Sequence, residues 1–280
     1  MLKYRCIPLL ALLLLGNVSH AQTKEAVLDS ELPKPKVVTT PINPHNALFV
    51  GNSFSFFNDG IHNHLGSLIR SQGAWQRGKH RYRLQTLSGA RMHEHESIIE
   101  DVVDAKEWPT VVLQGHSNEP IDAKRAEQFI MSTAQYVNTL RRNDIQPILF
   151  MTWAYENEPE MINDLARTYI ALANRLDVQV VPVGIAFHNA MQQAPSISLY
   201  TADVLSANEK REITYRKDIK HPSRAGTYLA ACVFYAALYQ KSPVGIPYIA
   251  DLGPQEAEQL QTIAWNTVAE FYGWQKNSSP

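Results

Sequence analysis

Five short apolar runs, at residues 47–50, 81–87, 110–113, 147–152 and 178–183, alternate along this chain with longer segments whose apolar residues recur every three or four positions. The short runs fit strands. The segments at 61–72, 123–142, 159–176, 224–239 and 255–272 fit helices with one apolar face. Pro159 suits a first helical position, where its missing N–H costs nothing. Such alternation implies an α/β fold with a mostly parallel sheet covered by helices on both faces, because parallel neighbours need a crossover between them. Ligands of these sheets bind beyond the carboxyl ends of the strands, so the residues just after each strand are where chemistry is expected. The sequence shows no internal repeat and no second domain.

The N-terminus adds a compartment. Lys3 and Arg5 precede an apolar run over 7–15, and Ser19-His20-Ala21 offers small residues for cleavage, so residues 1–21 read as an export signal. The expected product is a soluble periplasmic or extracellular protein beginning at Gln22. The run is too short to span a bilayer comfortably, and no later stretch has about 18 apolar residues in a row. Cys6 leaves with the signal, so Cys232 has no partner for an internal disulfide and the core must carry stability alone. Pro33, Pro35, Pro41 and Pro44 mark 22–45 as a linker that cannot order itself unaided, which leaves 46–280 as one domain. Without Lys3 and Arg5, the 27 acidic residues are in small excess, which gives no footprint for nucleic acid or an anionic membrane. A small neutral or polar substrate is expected.

After the first apolar run comes Gly51-Asn52-Ser53-Phe54. A serine at a strand-to-helix turn has its hydroxyl lifted clear of the sheet, beside the free amides of the helix start, which suits attack on a carbonyl. Glycine before it permits the tight turn and close approach of substrate. The same residue types also serve as plain helix caps. Near the other end, Asp218-Ile219-Lys220-His221 precedes the helix at 224–239. An aspartate three residues before a histidine on a loop can hold one imidazole nitrogen and leave the other free as base, although Asp218 could also merely cap a turn. Together the serine and the Asp/His pair make a nucleophile with its activating partners.

These residues resemble those of the SGNH (GDSL-like) hydrolases. Gly51-Asn52-Ser53 stands where that family carries Gly-Asp-Ser, Gly89 resembles its second-block glycine, and Asp218-x-x-His221 matches the last block in spacing and order. Pro182 to Ala186, and His221-Pro222-Ser223 through Gly226 to Ala230, are similar to bacterial members whose first block also reads Gly-Asn-Ser. The resemblance spans residues 47–238. It implies a three-layer, flavodoxin-like sandwich with about five strands and a catalytic triad of Ser53, His221 and Asp218. It also implies an oxyanion hole at the backbone amides of Ser53 and Gly89. The third block departs from the family's Gly-x-Asn-Asp: here Gln114-Gly115-His116-Ser117-Asn118-Glu119 is closer to the Gln-Gly-Glu-Ser-Asn type of carbohydrate acetylesterases. By that likeness Gln114 is the first choice for a side-chain oxyanion donor and Asn118 the second; losing such a donor costs about 3 kcal/mol of barrier.

The implied activity is hydrolysis of a carboxylic ester, an acetyl or other short acyl group on a small molecule or carbohydrate, through an acyl-Ser53 intermediate and with no cofactor. Acyl transfer uses the same machinery, and a non-catalytic exported protein binding a glycan or peptide is the rival of another class. Four further features have two readings each. His93-Glu94-His95-Glu96 lacks a third ligand at a zinc spacing and reads as the polar start of a helix, so no metal is expected. His116 reads as a cleft wall. Trp153 and Tyr155 could stack on a sugar or pack inward. Asp203 rivals Asp218 if residues 204–217 form an inserted loop, but spacing favours Asp218.

Overall fold

The first strand, β1 (Asn46–Gly51), sends Ala47 and Phe49 into one apolar core and Leu48 and Val50 into another. This is the alternation a strand covered on both faces requires. The same division holds along β3 (Thr110–Leu113), β4 (Gln146–Phe150) and β5 (Gln179–Val181): Val112, Ile148, Phe150 and Val181 join the first core, and Val111, Leu113, Leu149 and Val180 the second. With β2 (Arg81–Thr86) they form one sheet in the order β2-β1-β3-β4-β5, every pair parallel. The computed structural model describes residues 27–36 and 41–274. The region read as an export signal lies outside them.

Helices α3 (Glu96–Ala105), α4 (Ala126–Arg142) and α5 (Met161–Leu176) close the second core. Helices α2 (Ile61–Ser71), α6 (Val183–Gln193), α7 (Arg224–Tyr239) and α8 (Pro254–Phe271) close the first, while the one-turn α1 (Ser53–Phe56) sits on the end of β1. The expected three-layer α/β sandwich with five parallel strands is therefore the observed one. α7 departs from the one-faced helix expected at 224–239. Every residue from Ala225 to Leu238 is buried, Cys232 among them, because α2, α6 and α8 all pack around it. A helix apolar on all sides has no other stable place.

Where the chain leaves the expected boundaries, local reasons are visible. The run 178–183 stops as a strand at Val181, and Pro182 caps α6, a helix hidden in the sequence by the continuity of apolar residues. Helix α5 begins at Met161 rather than at Pro159, with Glu160 as its cap. Within the stretch read as a linker, residues 27–36 lie along α5: the Asp29 carboxylate pairs with Arg167, the Asp29 N–H donates to Asn163 Oδ1, and the Lys36 N–H donates to Asn174 Oδ1. The side-chain contacts of this segment are with the helix surface.

The carboxyl ends of β1 and β3, adjacent strands whose crossovers leave in opposite directions, mark the point where such sheets open a crevice. Beyond that edge lie two small antiparallel ladders. β6 (Tyr200–Thr201) pairs with β9 (His221–Pro222), and β7 (Val204–Ala207) pairs with β8 (Ile213–Tyr215).

Candidate active site

Asn52 follows β1 and caps α1, its Oδ1 accepting the Phe54 N–H at 3.2 Å, so Ser53 occupies the first helical position. An amide there has no intrahelical acceptor. The Ser53 hydroxyl is 2.9 Å from Nε2 of His221, and the His221 Nδ1 is 2.6 Å from Oδ2 of Asp203. A carboxylate oxygen only accepts, so Nδ1 carries the proton and Nε2 presents its lone pair to the serine. Phe57 stacks on the imidazole with ring centroids 4.2 Å apart, and Phe54 meets it edge-on at 6.2 Å. Beneath, Phe54, the fully buried Trp153 and Phe187 form a continuous stack, and the Trp153 indole N–H donates to the Lys220 carbonyl at 2.9 Å. The residue before the histidine is thereby tied to the core.

The orienting carboxylate is where the expectation from spacing has to be corrected. Asp218 does not touch His221; its Oδ2 takes the Lys220 ammonium at 2.5 Å. Residues two apart on extended chain share a side and residues three apart do not, so a chain entering β9 brings Asp218 to Lys220 and turns it from His221. Asp203 arrives by the β6–β9 ladder, in which Thr201 lies directly opposite His221. Its own carbonyl accepts the Arg216 N–H at 2.8 Å, which closes the root of the β7–β8 hairpin.

Neither amide assigned as an oxyanion donor lines the cleft. Gln114 is buried under the Ser53 turn: its Oε1 accepts the Asn52 N–H and the Ser55 hydroxyl, and its Nε2 donates to Asn52 Oδ1 at 2.7 Å and to the Gly115 carbonyl. Both its amide hydrogens are spent. A Cβ on Gly51 would fall 2.4 Å from Gln114 Oε1, so the glycine before the turn makes room for this bracket. Asn118 turns back along its own loop, its Oδ1 accepting from His116 Nδ1 at 3.0 Å. That contact puts the proton on Nδ1 of His116, which does line the cleft with Ser117. Burial holds His116 below the usual imidazole range, against the opposing pull of Asn118.

Ser53 and Gly89 both line a cleft of about 510 Å³, which His221, Asp203, Val204, Arg216 and Lys220 also line. Gly89 has φ +68°, a conformation that side-chain-bearing residues avoid, and nothing lies within 4 Å of where its Cβ would stand. Asn52 Nδ2 donates to the Ala90 carbonyl at 2.9 Å, and the buried Glu119 accepts the Met92 and His116 amides at 3.0 and 3.1 Å. The loops carrying Gly89 and His116 are thus pinned to one another. Burial pushes the Glu119 carboxyl up. Trp153 and Tyr155 are packed inward rather than set on the rim, Tyr155 with its hydroxyl on Ser117 at 2.8 Å. In the 93–96 segment, Glu94 caps the turn through the Arg91 amide, and His95 is buried with both ring nitrogens unpartnered. Among the described residues no group of three His, Cys, Asp or Glu side chains is placed to hold a metal ion, and no helix is long and apolar enough to cross a membrane.

The sequence matches no family model and no curated protein. Solved structures do match. A DUF4886 family protein from Bacteroides uniformis superposes with a TM-score of 0.61 at 18% identity, covering 82% of this chain and 95% of that one. A proposed SGNH hydrolase from Slackia heliotrinireducens gives 0.52 at 21% identity, over 70% of this chain and 100% of that one. The acetyl xylan esterase AlAXEase gives 0.53 at 17% identity, over 69% and 98%. Parallel strands in the order β2-β1-β3-β4-β5, with helices on both faces, give this chain the fold of the SGNH hydrolases.

Proposed function

We propose that this chain is an exported serine esterase that cleaves short-acyl carboxylic esters through an acyl-Ser53 intermediate. The observation that carries the reading is the unbroken run from the Ser53 hydroxyl through His221 to Asp203, at 2.9 and 2.6 Å, opening on a cleft. Ser53 Oγ attacks the ester carbonyl while His221 Nε2 takes its proton. The oxyanion forms beside the Ser53 and Gly89 amides. The imidazolium, held by Asp203, returns the proton to the departing alkoxide, and water then repeats the sequence to release the acid. No cofactor enters these steps. An acetylated carbohydrate as natural substrate is supported by the name of the acetyl xylan esterase neighbour and by the Gln-Gly-x-Ser-Asn wording of the third block.

A fluorophosphonate probe should add covalently to Ser53, and p-nitrophenyl acetate should be turned over. Ser53→Ala and His221→Ala should each lower kcat by about a thousandfold or more, with unfolding midpoints near that of the parent. A folded protein that neither labels nor turns over any ester would overturn the assignment.

A further inference from the structure

Phe54, Phe56 and Phe57 all line the cleft, and Phe57 lies flat against the base itself. Its ring centroid is 4.2 Å from that of the His221 imidazole, with 7° between the two planes, and Phe56 stacks with it at 5.7 Å. The Asp203 carboxylate fixes one atom of the imidazole, at 2.6 Å, and leaves the ring able to pivot about that bond. The second contact, from Nε2 to Ser53 Oγ, is surrendered once that oxygen carries an acyl group. A parallel ring at van der Waals distance removes the pivot at every stage.

The turn that carries the nucleophile builds this contact. Phe57 closes α1, its N–H donating to the Ser53 carbonyl at 3.2 Å. Asn58 follows in the left-handed region, φ +48°, which asparagine tolerates better than most residues. Its Nδ2 donates to the carbonyl of Pro222, the residue after His221, at 2.8 Å and to Thr227 Oγ1 at 3.0 Å. Its carbonyl accepts from Nε2 of the buried His64 at 2.7 Å, and the Tyr248 hydroxyl donates to His64 Nδ1 at 2.7 Å. A left-handed residue held from both sides is over-determined by its surroundings, as conformations kept for a function are. Phe57 therefore reaches the imidazole from a backbone tied to Ser53 on one side and to the strand bearing His221 on the other.

We propose that Phe57 is the positioning residue of His221: it sets the plane of the imidazole and favours the imidazolium formed at each proton transfer. The inference rests on the esterase reading and adds a residue that the Ser53, His221 and Asp203 geometry does not include. Aromatic faces carry negative charge density, so a cation stacked on one is attracted where a neutral ring is not. His221 is neutral while it waits on Ser53 and charged once it has taken the serine proton. The attraction is thus made in the transition state and not in the ground state, the condition under which an interaction raises kcat.

Two variants of the whole protein test this with p-nitrophenyl acetate. Phe57→Leu keeps an apolar side chain at this half-buried position and removes the aromatic face, whereas Phe57→Tyr keeps the face. Phe57→Leu should lower kcat and kcat/KM together by about tenfold, with KM changed less than about twofold, the signature of an interaction made only in the transition state. Phe57→Tyr should restore roughly a third or more of the parent kcat. A raised KM with kcat kept would make Phe57 a wall for the substrate and overturn the proposal. So would an unchanged Phe57→Leu, or a Phe57→Tyr as slow as Phe57→Leu whatever their unfolding midpoints, since the aromatic face would then be immaterial. A folded parent with no turnover and no fluorophosphonate adduct on Ser53 would instead bring down the esterase reading itself.

Discussion

Two aspartates compete for His221 in this chain, and their rivalry is settled by backbone rather than by spacing. Asp218 is nearer in sequence but points with Lys220; Asp203 is 18 residues away and bonds Nδ1 at 2.6 Å. If Asp203 fixes the tautomer, Asp203→Asn should lower kcat by about three to four orders of magnitude, since an amide can donate to Nδ1 and leave the proton on the wrong nitrogen. Asp218→Asn should change kcat less than about threefold, because it only loosens a partly exposed ion pair. Measuring p-nitrophenyl acetate hydrolysis by both variants decides it, and the reverse order of effects would restore Asp218. Ser53, Gly89 and His221 were legible from sequence because each sits at an element boundary with its own chemistry. The orientation of the side-chain amides was not. Gln114 has the right residue type in the right place after β3, but its side chain is consumed by Asn52, Ser55 and Gly115. Residue type and order say nothing of which way a buried amide turns.

At the scale of elements, the strand runs were legible because β1, β3, β4 and β5 need apolar residues on both faces, and the runs at 47–50 and 110–113 lie within or on the observed strands. The β7–β8 hairpin escaped because its strands are short and none of their residues is buried in a core. Helix α7 links these scales. Its cap, Ser223, accepts the Gly226 N–H, and the Ser223 N–H donates to the Leu199 carbonyl at 2.8 Å, so the helix start is clamped beside β6 and β9. A Cβ on Gly226 would lie 2.3 Å from that same carbonyl, with Phe187 at 3.0 Å behind it. Neither a backbone carbonyl nor a stacked ring can yield cheaply. Gly226→Ala should therefore cost about 2–3 kcal/mol of stability, as overpacked cores do, despite raising helix propensity. It should also lower activity by displacing β9. Chemical denaturation is the check, and a variant as stable as the parent would show that α7 can slide off β6.

Taken whole, the molecule buries imidazoles that its fold keeps neutral, and this sets how it responds to acid. Burial takes His95 and His62 from the usual 6.5 down to about 4; Glu94 opposes the shift at His95, and Arg83 adds to it at His62. His64 and His116 are lowered for the same reason. Between pH 6.5 and 4 the unfolded chain takes up protons at these sites that the folded chain refuses. Stability from this source is complete above pH 6.5 and is lost as pH falls toward 4, by roughly 1.4 kcal/mol per pH unit for each fully titrating site. His95 offers the cleanest test, since neither ring nitrogen has a partner and nothing polar is orphaned when it is replaced. His95→Leu should match or exceed the parent in stability at pH 8. At pH 5 it should retain about 2 kcal/mol that the parent has lost, read as the gap between their urea midpoints at the two pH values. Equal losses in both proteins would mean that His95 takes its proton inside the fold, and that the acid limit is set by other groups.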